Sequence, residues 1–67
     1  METKTFYIPN TEVMKVAIRS ISSVVPHQSL ITRRINHAPE TLQIRITCAP
    51  ANFIVVERIL RTYATLD

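Results

Sequence analysis

The sequence predicts an α+β domain in which two helices cover one face of a three-stranded antiparallel sheet. Three observations indicate this class. Ile, Val and Thr account for 23 of the 67 residues, and such β-branched side chains favour strands. Residues 41–48 alternate strictly between apolar and polar, which is typical of a strand with one buried face. Two longer segments repeat their apolar residues at helical spacing, so each helix has one face for a shared core.

The first two elements are a strand and a helix. Residues 3–8 are rich in β-branched and aromatic side chains and end at the turn-forming pair Pro9-Asn10. The helix follows over residues 11–23, with Asn10 or Thr11 as its N-cap, and Pro26 prevents its continuation. The apolar arc of this helix comprises Val13, Met14, Ala17, Ile18, Ile21, Val24 and Val25.

The second strand spans residues 30–36. Ile31 and Ile35 share one side of this strand, but Arg33 lies on the same side. The pattern therefore does not decide which side of the strand is buried. The loop over residues 36–40 has a length that suits a hairpin connection without Gly.

The third strand covers residues 41–48, and the second helix begins at Pro50 or Asn52 and continues to about residue 65. The apolar arc of this helix comprises Phe53, Val55, Val56, Ile59, Leu60, Tyr63 and Leu66. The expected core includes Phe53, Leu60, Ile18, Ile21, Ile44 and Ile46.

The β-α-β-β-α order also predicts the strand arrangement. A hairpin places the third strand beside the second, and inserting it between the first two gives a split β-α-β unit. Only four residues follow Tyr63, so we expect no fourth strand on the outer side of residues 3–8. An uncovered strand edge invites pairing with another chain. We therefore predict a homodimer or higher homo-oligomer that pairs through Thr5, Phe6 and Tyr7.

Across most of the chain, this element order resembles the small ferredoxin-like domains, which include the ACT-type regulatory modules. The turn before the first helix has Pro9-Asn10, where ACT modules usually have Gly. The resemblance implies a regulatory domain that pairs its sheet with that of a second copy and binds a small ligand at the interface. Fold analogy gives function only as an expectation.

Composition limits the function classes. The absence of Gly excludes the glycine-rich loops that cradle phosphates. The net charge of +3 comes from eight basic residues, of which only Arg33 and Arg34 are adjacent. Arg34, Gln43, Arg45 and Thr47 are expected on the open sheet face, where they would contact a protein partner or small ligand. The alternative is weakly specific nucleic-acid binding, although a stacking platform needs more aromatic side chains than this face offers.

No catalytic residue, metal site or cofactor is expected, and we interpret the chain as a non-enzymatic binding domain. His27, His37 and Cys48 are the only soft metal ligands, and none forms a closely spaced pair. Cys48 precedes the last helix, whose N-terminus would favour a reactive thiolate. Its alternation with Ile44 and Ile46 instead predicts a buried structural thiol.

Residues 1–67 are expected to form one small domain in the cytoplasm, without membrane contact. The first eight residues lack the apolar core of a secretory signal. No apolar run reaches the roughly 18 residues that a membrane helix needs, and a single cysteine forms no intramolecular disulfide.

Overall fold

The computed structural model describes residues 1–66 and has the predicted β-α-β-β-α order. The elements are β1 (Glu2–Pro9), α1 (Glu12–Val24), β2 (Ser29–Arg34), β3 (Thr41–Cys48), a 3-10 turn at Pro50–Asn52 and α2 (Phe53–Leu66). The strand order in the sheet is β1-β3-β2, and both neighbouring pairs are antiparallel. The prediction of an α+β class with the third strand in the centre of a three-stranded antiparallel sheet is confirmed.

The core lies between one face of the sheet and the two helices. Strict alternation in β3 sends Leu42, Ile44, Ile46 and Cys48 into this core, whereas the residues between them stay accessible to solvent. The remaining buried apolar residues are Ile8, Met14, Ala17, Ile21, Val25, Phe53, Val56 and Leu60. Ile18 is partly buried and packs against the edge of this cluster.

Helix α1 begins and ends where its flanking residues dictate. The Thr11 hydroxyl oxygen accepts a hydrogen bond from the Met14 backbone N–H at 3.3 Å, so Thr11 rather than Asn10 is the N-cap. At the other end, the Val25 N–H donates to the Ile21 carbonyl. Pro26 follows, and His27 then turns the chain towards β2 with φ at 51°.

The pairing of β2 with β3 determines which face of β2 is buried. Leu30 lies opposite Ile46 and Arg34 opposite Leu42, so the helices cover the side of β2 that carries Leu30 and Arg34. Arg33 lies opposite Gln43, on the uncovered side. The predicted placement of Arg34 on the open sheet face is therefore wrong, and Arg33 occupies that face instead. A shift of one residue in register exchanges the two faces of a strand, which is why the sequence pattern left this choice open.

Candidate interaction surfaces

Strand β1 is an edge strand, and the alternation of hydrogen-bonded pairs along it shows which of its backbone groups face outward. The Asn10 N–H donates to the Glu40 carbonyl at 2.8 Å, one step beyond the pair formed by Pro9 and Thr41. Hydrogen-bonded pairs recur at every second residue of an antiparallel ladder. The even-numbered residues of β1 therefore bond to β3, whereas Thr3, Thr5 and Tyr7 direct their N–H and C=O groups to the outer edge. Pro9, which has no N–H, falls in the outward-facing set, as expected for proline in an edge strand.

Strand β2 is the opposite edge of the sheet. Because β3 uses its even-numbered residues to bond β1, it uses its odd-numbered residues to bond β2. The register then pairs Ser29, Ile31 and Arg33 with β3. The backbone groups of Thr32 consequently face the outer edge of β2.

The predicted self-association residues do not all face the outer edge of β1. Thr5 and Tyr7 do, and Thr3 joins them. The backbone of Phe6 bonds to β3, and its side chain is half-buried on the helix side, with its ring centroid 6.4 Å from that of Phe53. The Lys4 Nζ lies 4.8 Å from the centroid of the Phe53 ring. Phe6 and Lys4 therefore contribute to packing under β1, whereas the outward-facing backbone belongs to their neighbours.

The sheet face opposite the helices is open. Its side chains come from Thr3, Thr5, Tyr7, Ser29, Ile31, Arg33, Thr41, Gln43, Arg45 and Thr47. The Gln43 side chain donates to the Tyr7 hydroxyl at 3.2 Å, and the Thr3 and Thr47 hydroxyls share a hydrogen bond of 2.8 Å. These cross-strand contacts order Gln43 and Thr47, two of the predicted contact residues, whereas Arg45 stays exposed. No acidic residue belongs to this face within the described chain.

A second surface lies at the β2 edge, on the helix side. A groove of about 440 Å³ is bordered by Lys15 and Arg19 of α1 and by Arg33 and Arg34 of β2. The sequence pattern alone does not connect these residues, because only the tertiary fold brings α1 and β2 to one groove. The available sequence signals were the adjacent arginines and the spacing of Lys15 and Arg19 by four residues, which places two cations on one side of a helix.

Cys48 and the metal-ligating residue types are the remaining sequence candidates for chemistry. Cys48 has no exposed surface, in agreement with the predicted burial of its thiol. Within residues 1–66, no group of three His, Cys, Asp or Glu side chains is placed to hold a metal ion. Neither of the two described helices has the length and apolar character needed to cross a membrane.

Comparison with known proteins identifies no relative: no family model, curated protein or solved structure matches the chain. The function is therefore argued from the surfaces themselves.

Proposed function

We propose that this chain is a non-enzymatic binding domain with a ferredoxin-like split β-α-β fold that acts as a homodimer. The dimer forms by antiparallel pairing of β1 with β1 of a second copy. One observation carries this proposal: Thr3, Thr5 and Tyr7 present unpaired backbone donors and acceptors along an edge that no strand of residues 1–66 covers. Such an edge is a template for strand addition.

The outward-facing residues fit a two-fold axis. With Thr5 on the axis, Thr3 lies opposite Tyr7 of the second copy, and each of the three residues both donates and accepts a backbone hydrogen bond. Two Thr5 side chains would meet on the open face, and threonine pairs across strands contribute favourably to sheet stability. This register leaves no outward-facing backbone group of Thr3, Thr5 or Tyr7 unsatisfied.

The charges favour β1 over β2 as the pairing edge. The outward-facing residues of β1 that would pair are uncharged, whereas β2 ends in Arg33 and Arg34. Charged side chains on an edge strand discourage pairing with another chain. The β2 edge is thus the one that stays free in the proposed dimer.

The proposed dimer joins two open faces into one continuous sheet surface. Tyr7 and Ile31 are 64% and 55% exposed on this surface, and Arg33 and Arg45 supply positive charge without acidic neighbours. A protein partner with acidic and apolar side chains, or a small anionic ligand, would suit it, and the role proposed for such binding is a regulatory one in the cytoplasm. Nucleic-acid binding stays the alternative prediction. It is the weaker one, because a stacking platform needs several aromatic side chains and this face offers Tyr7 alone.

The dimer is tested by sedimentation at micromolar concentrations. Thr5→Pro removes an N–H that makes no hydrogen bond within the chain, so we expect a folded monomer while the parent chain is dimeric. Thr32→Pro is the matched control, because it removes an outward-facing N–H at the β2 edge and should leave the dimer intact. Circular dichroism checks the fold of both variants. A monomeric parent chain, or a Thr5→Pro variant that still dimerises, would contradict the proposal.

A crosslinking experiment tests the register without depending on proline. Thr5→Cys places two thiols on the axis with Cα atoms about 5.5 Å apart, within the range for a disulfide. Thr3→Cys places its two copies about 13 Å apart along the strands, beyond that range. Mild oxidation should therefore give covalent dimers of the Thr5→Cys variant alone, and crosslinking of both variants to the same extent would argue against this register. The native Cys48 is present in both variants, and because it is fully buried it should form no crosslink.

A further inference from the structure

The groove between α1 and β2 concentrates positive charge. Four of the eight Lys and Arg residues of the chain line it, namely Lys15, Arg19, Arg33 and Arg34. No Asp or Glu among residues 1–66 lines it. The groove lies at the edge of the sheet away from β1, and none of Thr3, Thr5 and Tyr7 belongs to its lining.

Little of this charge is neutralised within the protein. Lys15 forms an ion pair with Glu12 at 3.3 Å, with the two side chains 48% and 88% exposed, so solvent weakens that pair. The three arginines form no ion pair with any residue among positions 1–66. Cations spaced four residues apart on a helix repel one another. Such an arrangement lowers the stability of the free protein, and a bound anion would reverse that effect.

Both arginines of β2 reach the groove because β2 is an edge strand. Arg34 extends on the helix side, opposite Leu42, and Arg33 extends on the open side, opposite Gln43. Both residues nevertheless line the groove. Lys15 and Arg19 complete the ring of positive charge from α1.

The chemistry of the lining points to phosphate. A guanidinium group presents a planar set of donors that matches phosphate oxygens, and three such groups suit an anion with more than one phosphate. The Thr32 hydroxyl adds a neutral donor, and the partly buried Ile18 with the buried Leu42 supplies an apolar wall. The volume of about 440 Å³ falls in the range of small-molecule sites. We propose that this groove binds a small phosphorylated ligand carrying at least two linked phosphates.

A small ligand fits these observations better than a nucleic-acid strand. A strand needs a long positive track and several aromatic side chains for stacking. The charge here is gathered around one concave site, and no Phe, Tyr or Trp lines it.

The test uses titration calorimetry of the full chain with inorganic pyrophosphate, at about 0.15 M salt so that weak surface attraction is screened. We expect binding with a Kd below about 1 mM. The double variant Arg33→Gln/Arg34→Gln should weaken this binding by at least about tenfold, because charge-assisted hydrogen bonds are lost. The matched control is Arg58→Gln/Arg61→Gln, which removes the same charge from α2 and should change binding less than about threefold.

Three results would overturn the proposal. They are an absence of binding at millimolar pyrophosphate, an equal loss in both double variants, and displacement of pyrophosphate by a single-stranded oligonucleotide at a lower phosphate concentration. The last result would assign the groove to nucleic acid. The Thr5→Pro variant should bind pyrophosphate as the parent chain does, so failure of the dimer and failure of this site are distinguishable.

Discussion

At the scale of single residues, the stability of this small domain depends on a few side chains of β3. Ile44 lies in the middle of the central strand, opposite Phe6 on one side and Thr32 on the other. It has no exposed surface. A chain of about 60 residues buries only about 60% of its unfolded surface, so each fully buried side chain carries a large share of the folding free energy.

Truncation of Ile44 tests this dependence. Ile44→Ala should lower the free energy of unfolding by about 2–5 kcal/mol, because it removes buried methyl groups and leaves a cavity. Ile31→Ala is the matched control: it removes the same atoms from a side chain that is 55% exposed on the open face, and should cost less than about 1 kcal/mol. Urea denaturation measures both variants, and equal losses would show that Ile44 is not the centre of the core.

At the scale of elements, the sequence predicted those with a clear period. The alternation of β3 and the apolar arcs of α1 and α2 indicated the type of each element and most of its buried face, because each arc has to meet the core. Val24 and Leu66, the last residues of the two helices, were placed on these arcs but are exposed. β2 was different: it is short, it combines Leu30 with Ile31, and it ends in two arginines. Pairing with β3 decides its buried face, and local pattern contains no information about that pairing. The prediction for Arg34 was wrong for this reason.

The connection between α1 and β2 contains a strained residue. His27 has φ at 51°, in the left-handed region, which costs an L-residue about 1–2 kcal/mol. His27→Gly removes that cost, but the more flexible glycine loses additional conformational entropy on folding, which costs about 0.5–1 kcal/mol. We therefore expect a net gain in the free energy of unfolding of up to about 1 kcal/mol. Gln28→Gly, at the next position, should lower stability instead, because it relieves no positive φ, makes the unfolded chain more flexible and removes the hydrogen bond from the Gln28 side chain to the Ser22 carbonyl. Thermal denaturation followed by circular dichroism gives the sign of each change, and a loss with His27→Gly would contradict the expected strain.

At the scale of the whole molecule, the two proposed surfaces occupy opposite edges of one sheet. The open β1 edge could be predicted from element order, because the central place of β3 follows from the hairpin and the crossover. The basic groove could not, since Lys15 and Arg33 are distant in sequence and only the packing of α1 beside β2 brings them together. For this reason, Arg34 is the one residue that the predicted contact set shares with the groove lining.

Dimerisation and the small core together give a prediction about the whole chain. If folding and β1 pairing are coupled, the midpoint of thermal unfolding rises with protein concentration, since association stabilises the folded state by mass action. For a dimer of two 67-residue chains, the average unfolding enthalpy per residue gives a rise of up to about 5 °C for each tenfold increase in concentration.

Differential scanning calorimetry over a roughly hundredfold concentration range measures this shift of the midpoint. The Thr5→Pro variant is the control, because a monomer has a midpoint that does not depend on concentration. A parent chain with a constant midpoint would show that its unfolding is independent of association. The same slope in both chains would mean that the association does not use the outward-facing backbone of β1, and the role assigned to Thr3, Thr5 and Tyr7 would have to be abandoned.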